Sequence, residues 1–395
     1  MTKKIAILTL LVAMVILLAQ CSKNDNKITE KYPAIKAAFG TRINPDDLAN
    51  YANQPIPAYI NKDNTNGNNI TNAKATLGRV LFYDKQLSID NTVSCASCHQ
   101  QQFAFSDTAL ASRGVSSGLT GRHSMRLINA RFASETNFFW DERAASLEQQ
   151  STQPIKDHAE MGFSGQGGRP DFTAMLNKLG TIGYYKELFQ FVYGDVGITE
   201  ARLQECLAQF IRSIQSFDTK YDSGRAQVTT ESQDFPNFSA QENSGKALFL
   251  NPPTFDATGN RIAGGLGCNR CHRAPEFDIH PNAGNNGIIG RINATGFDLT
   301  NTKAPTLRDL LNGNGQPHTA MMHMGNFTLL QDVLGHYNSI VAGPTNPNLD
   351  SRLKPNGYGQ KLHLTPQEET AVIAFLKTLT GNQVYTNIRW SNPFQ

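Results

Sequence analysis

Apolar residues recur on one face over Leu203, Leu207, Phe210, Ile211 and Ile214, and again over Val372, Ile373, Phe375, Leu376 and Leu379. Spacings of three and four predict an amphipathic helix in each place. Ser239-Ala-Gln-Glu242 reads as a capping box that opens another helix, because each end of the motif can satisfy the other's free N–H. Thr365-Pro366-Gln-Glu368 repeats that signal with proline at the first helical position, and Gly381 is the expected stop. Two short apolar stretches, LGRVLF (Leu77 to Phe82) and SGKALF (Ser244 to Phe249), read as helical and resemble each other, a weak internal repeat. Strand-like alternation is scarce. Stretches rich in Gly and Asn over Asn61 to Asn72, Ala111 to Gly121 and Gly284 to Gly296 read as loops. The expected fold class is mainly α.

The amino terminus adds a compartment. Lys3 and Lys4 precede an uncharged apolar run from Ile5 to Ala19, too short to span a bilayer comfortably and suited to a secretory leader. The run ends in Leu18-Ala19-Gln20-Cys21, which resembles a lipobox although Gln20 departs from the usual Gly or Ala. Residues 1–21 are therefore expected to be a lipoprotein-type signal peptide with Cys21 lipidated; the plainer alternative is a signal peptide without lipid. Either reading exports the chain, to the periplasm of a bacterium, and a lipid on Cys21 would tether a domain to the membrane without making it span. Residues 22–50 are polar and read as that tether. The length of the remainder suggests two domains, drawn at 51–225 and 226–395. A formal net charge of +3 gives no basic surface for nucleic acid.

The cysteines supply the chemistry. Four of the six stand in CASCH and CNRCH, as Cys95, Cys98 and His99 and as Cys268, Cys271 and His272. Such close pairs staple little, so disulfides explain them poorly. Zinc would want two pairs near each other, and these lie about 170 residues apart. Attachment of c-type haem uses all three residues: two thiols add to the vinyl groups and the next imidazole binds the iron. Zinc and disulfide remain the alternatives. Each motif follows one copy of the LGRVLF/SGKALF repeat, as two cytochrome c-like haem domains would require. Cys206, inside LQECLAQFIRSI, reads as a small buried helix residue. HTAMMHMGNF (His318 to Phe327) offers Met321, Met322 and Met324 as a thioether ligand for the second iron, which would give a high-potential haem.

Together with NFFWDERAASLEQQSTQPIKDHAEMGF (Asn137 to Phe163), these segments resemble the bacterial dihaem cytochrome c peroxidases. That family also includes the dihaem enzyme that matures the tryptophylquinone of methylamine dehydrogenase. KAPTLRD (Lys303 to Asp309), HYNS (His336 to Ser339) and the last helix match too, so the resemblance covers roughly Leu77 to Gly381. It implies that His99 holds the haem at which peroxide reacts and that His272 and Met322 are the axial pair of an electron-transfer haem. Met322 is preferred over Met324 because it fits the family's Met-His-x-Gly-x-Phe pattern. The resemblance further implies Glu160 as distal acid–base group, Gln150 as its neighbour and Trp140 between the haems. It implies a calcium ion held by carbonyls at Lys303 and Pro305, a small cytochrome c or copper protein as electron donor, and homodimers as a common assembly. A carboxyl group beside the first haem can take a proton from one oxygen of hydrogen peroxide and return it to the other, and burial would raise its pKa towards a useful value.

The sequence departs from the family in one loop. No histidine lies between Ser106 and Arg122, where many members carry one that caps the first iron at rest; His123 follows, where an asparagine helps to hold calcium. Either the first iron is open or His123 caps it, and the calcium site loses a ligand. The expected activity is a cytochrome c peroxidase; the alternatives are a non-catalytic dihaem electron carrier and a dihaem oxidase of a partner protein's side chain. The family's oxidases usually replace the axial methionine that Met322 supplies here.

Overall fold

The computed structural model describes residues 31–65, 67–134, 137–279 and 283–394. The leader over 1–21, Cys21 and the beginning of the expected tether lie outside the described residues. Among those described, the chain is mainly helical: the longer helices are Asn72–Tyr83, Leu147–Lys156, Phe172–Gly180, Gly183–Tyr193, Glu200–Ser213, Ala240–Leu250, Leu330–Asn338 and Pro366–Lys377. Among the described residues strand is confined to two antiparallel pairs, Pro253–Phe255 with Arg261–Gly264 and His272–Arg273 with Asp278–Ile279. No described helix is long and apolar enough to cross a membrane.

The caps form as the sequence predicts. Ser239 and Thr365 each accept from the N–H three residues on, with Glu242 and Glu368 reaching back. Gly381 is not the helix stop. The last helix ends at Lys377, where Thr378 Oγ1 donates to the Phe375 carbonyl at 2.6 Å, and Gly381 N–H instead donates to Asp309 Oδ1 at 2.8 Å.

The LGRVLF/SGKALF repeat has a packing reason. A Cβ at Gly78 would lie 2.0 Å from the Cys206 carbonyl oxygen, and one at Gly245 would lie 1.9 Å from that of Ala371. Each glycine thus lets the helix before a Cys-x-x-Cys-His motif touch, backbone to backbone, a helix later in the chain. Cys206 is fully buried at the first of these crossings, as expected. Gly78→Ala should destabilise the holoprotein by about 1–3 kcal/mol, because the helices must separate to admit the methyl group; urea unfolding followed by circular dichroism measures it.

Two main hydrophobic cores result. The first runs from Ile35 to Ile214, the second from Tyr221 to Leu379. They change the expected boundaries in three places. Residues 33–50 are no tether: Pro33–Phe39 is helical and buries Ile35 and Phe39, with Ile43 following at the same spacing. Tyr221 already belongs to the second core, so the division falls before residue 225. The tail returns to the first core through Val384 and Trp390, where Tyr51 and Tyr83 hydroxyls donate to the Arg389 and Trp390 carbonyls at 2.7 and 2.6 Å. Isolated apolar residues in polar surroundings carried too weak a period to show this.

Candidate active site

Cys95–Cys98 forms a single helical turn, with His99 N–H closing on the Cys95 carbonyl at 2.9 Å. That turn puts Cys95, Cys98 and His99 on the wall of one cavity. His99 Nδ1 lies 3.0 Å from the Phe105 carbonyl. A carbonyl only accepts, so Nδ1 carries the proton and Nε2 keeps a lone pair. Burial lowers the pKa of His99 and keeps the ring neutral, as a ligand must be.

The second motif repeats this arrangement on a different local structure, a 3-10 turn at Cys268–Arg270 followed by a strand. His272 Nδ1 lies 3.0 Å from the Pro305 carbonyl, and burial pushes its pKa down to about 4. Cys268, Cys271, His272 and Met322 line a second cavity. Met322 sits at φ +67°, in a turn closed by Gly325 N–H on its carbonyl at 3.0 Å. The sulfur of Met322 lies 3.8 Å from Asn286 Nδ2. Met324 instead packs towards Gly290, where an added Cβ would meet its terminal methyl at 2.8 Å. Met321 also lines the second cavity but is itself buried.

Gln150 and Glu160 line the first cavity opposite no described hydrogen-bond partner for either side chain. Gln150 rides on the Leu147–Lys156 helix, which Ser146 caps by accepting from Gln149 N–H at 3.2 Å. Glu160 sits in the turn that follows. Asp157 Oδ1 accepts from Ala159 and Glu160 N–H at 2.8 and 3.0 Å, and Val115 N–H donates to the Glu160 carbonyl at 3.0 Å. Gly114 lets the two loops meet, since a Cβ there would fall 1.9 Å from the Ala159 carbonyl oxygen. Burial, aided by the Asp157 charge and opposed by Arg143, raises the Glu160 carboxyl to about 7. Its charge is felt at both Cys95 and Cys98, so acid and thiols share one chamber.

Trp140 lines both cavities. Its Nε1–H donates to the His123 carbonyl at 2.7 Å, its own carbonyl accepts from Lys303 N–H at 2.7 Å, and its ring lies 6.1 Å from that of His323. His123 also borders both cavities and is buried. Its N–H donates to the His323 carbonyl at 2.8 Å, Nδ1 lies 2.8 Å from the Ala109 carbonyl, and Nε2 is unpartnered. Arg126, set in the apolar SMRLI stretch, is the arginine that reaches both cavities; sequence reasoning passed over it, although a lone cation among apolar residues was its signal.

The two chambers suit tetrapyrroles. Each is lined largely by apolar side chains around one thiol pair and its imidazole, as a covalently held tetrapyrrole requires. Burial holds the Cys95 and Cys268 thiols up at about 12, so that both are neutral beside the apolar walls. Among the described residues no cluster of three or more His, Cys, Asp or Glu could hold a metal ion. Nor does the calcium expectation gain support: the Pro305 carbonyl already lies 3.0 Å from His272 Nδ1.

Fold and site thus define a helical protein with two imidazole- and thiol-lined chambers that share a wall. The di-haem cytochrome c peroxidase family matches residues 72–229. The methylamine utilization protein MauG of Methylorubrum extorquens is 30% identical over 323 residues, 79% of this chain and 79% of its own length. The cytochrome c551 peroxidase of Nitrosomonas europaea is 25% identical over 320 residues, 78% of this chain and 80% of its own. Among solved structures, a MauG-like protein associated with microbial copper homeostasis shares the fold, with a TM-score of 0.65 at 23% identity over 87% of this chain and 99% of that one. The chain belongs to the di-haem cytochrome c peroxidase family, and that membership implies two c-type haem groups.

Proposed function

We propose that this protein reduces hydrogen peroxide to water with electrons from a small redox protein, received at the second chamber and used at the first. Two electrons and two protons convert one peroxide into two waters. Cys95 and Cys98 would hold one haem with His99 as ligand; Cys268, Cys271, His272 and Met322 would hold the other. The haem groups, when bound, supply the peroxide-binding iron and the one-electron steps. The observation that carries the reading is Glu160: a carboxyl raised to about 7, without a hydrogen-bond partner, in the chamber of the first motif. Glu160 Oε takes a proton from one peroxide oxygen and returns it to the other as water leaves. The Gln150 amide orients the peroxide without adding a charge. Trp140, pinned by its indole N–H and its carbonyl, keeps an aromatic ring in the shared wall on the electron's route. A pure electron carrier would have no use for an acid in that chamber.

The first site is read as open. His123 is tied at its N–H, its carbonyl and its ring Nδ1, which opposes the swing of a displaceable cap; its Nε2 is unpartnered, and the spin state below distinguishes an open first iron from one that His123 caps. The chain is further proposed to act outside the cytoplasm, anchored through Cys21. Oxidation of a partner protein's side chain is the second reading, favoured by the likeness to MauG. Purified protein with two covalent haems should turn over peroxide with a reduced small cytochrome or copper protein, and the diferric protein should give a high-spin electron paramagnetic resonance signal. Wholly low-spin spectra, or no donor oxidation at any peroxide concentration, would reject this reading.

A further inference from the structure

The arginines around the chambers are mostly answered by acids. Arg122 pairs with Asp298 at 2.6 Å and Asp141 at 3.1 Å, Arg143 pairs with Asp141 at 2.8 Å, and Arg352 pairs with Asp350 at 2.6 Å. Arg126 differs. It borders both chambers, donates from Nη2 to the Thr306 carbonyl at 2.9 Å, and has a buried Nε–H with no partner. No described carboxylate lies within ion-pair distance of it. Asp309 is the acid whose charge reaches Arg126, but only from beyond ion-pair distance: its Oδ1 accepts from Gly381 N–H at 2.8 Å and the Tyr385 hydroxyl at 2.7 Å, and its buried Oδ2 has no hydrogen-bond partner. A guanidinium does not shed its proton in a protein, so this buried charge needs an anion that the chain does not supply.

The missing anion has to come from the occupants of the chambers. A c-type haem carries two carboxylates that its thioether bonds leave free. Resting on the two-haem reading above, we infer that Arg126 is a shared positioning residue whose guanidinium binds a propionate of the haem in each chamber. A planar fork with five donors can present separate edges to two carboxylates, which an ammonium cannot do as well. Thr306 fixes one Nη2 direction, and the unpartnered Nε–H is among the donors left for a propionate. Arg126 would then add, beside Lys303, which also borders both chambers, to the positive charge seen by both irons and favour the reduced form of each.

Spectroelectrochemical titration of the two haems in Arg126→Gln tests this. Both midpoints should fall together, each by on the order of a tenfold change in its one-electron equilibrium, 59 mV per tenfold. Arg352→Gln, at a residue that borders only the second chamber, should leave the first midpoint in place. Arg126→Lys keeps the charge but loses the fork: its midpoints should stay closer to wild type while the propionate-bending resonance Raman bands of both haems shift. If Arg126→Gln does not accumulate as folded protein, the Lys variant's Raman bands decide. Two covalent haems with both midpoints unchanged in Arg126→Gln, a shift in only one, or unaltered bands in the Lys variant would overturn the inference. Fewer than two covalent haems in the wild type would instead sink the two-haem reading beneath it.

Discussion

Glu160→Gln should lower kcat/KM for hydrogen peroxide by about 10²- to 10⁴-fold, the usual worth of a positioned general acid–base group, while covalent haem content stays at two. The change is nearly isosteric. The turn that holds residue 160 is built from Asp157 Oδ1 and Val115 N–H, which contact only the backbone of that residue, so the fold around it should stand. What is lost is the ability to take a proton. The same reasoning fixes the pH dependence. With its carboxyl raised to about 7 by burial and the Asp157 charge, Glu160 is increasingly protonated below that pH. Wild-type kcat/KM should then fall about tenfold per unit as pH drops below 7, since only the carboxylate can accept the first proton. Asp157→Asn removes a raising charge and should move that limb to lower pH; Arg143→Gln removes a lowering one and should move it higher. Stopped-flow consumption of peroxide across pH 5 to 9, on protein with quantified haem, reads all three. Near-wild-type rates in Glu160→Gln would place the base elsewhere.

How the sequence disclosed this site follows from the range over which each residue acts. Cys95, Cys98 and His99 do their work within five positions, so their motif was legible at once, and the structure places all three on the wall of one cavity. The capping boxes at Ser239 and Thr365 are equally local and equally legible. Glu160 and Gln150 carry no such signature. A lone glutamate reads as a surface carboxylate, and only resemblance to a known family singled it out; the backbone contacts through Gly114 that set its position join segments about 45 residues apart. Arg126 showed in the sequence only as a lone cation among apolar residues, for a related reason. Its meaning lies in a charge balance summed over two chambers and several loops, which no window of sequence contains. The boundary errors have the same origin: Trp390 and Ile35 bury against residues far away in the chain, and neither belongs to a periodic run long enough to announce it.

Cys95→Ser combined with Cys98→Ser should leave one covalent haem of two and abolish turnover with peroxide, whereas Cys268→Ser with Cys271→Ser should remove the other haem and with it the donor's access. Heme-stained denaturing gels and acid–acetone extraction count the survivors. Independence is expected because the two motifs anchor to separate cores: the first turn rests against the helix crossing at Gly78 and Cys206, the second beside the crossing at Gly245 and Ala371. Neither set of core contacts needs the other chamber filled. The shared wall, which includes His123, Arg126, Trp140 and Lys303, touches both, and its main-chain ties, Lys303 N–H to Trp140 and His123 N–H to His323, do not involve either cysteine pair. Loss of both haems from either double variant would mean that the wall assembles only around two occupied chambers. Retention of both would show that the thiols are not the points of attachment, and the proposed chemistry would fail at its first step.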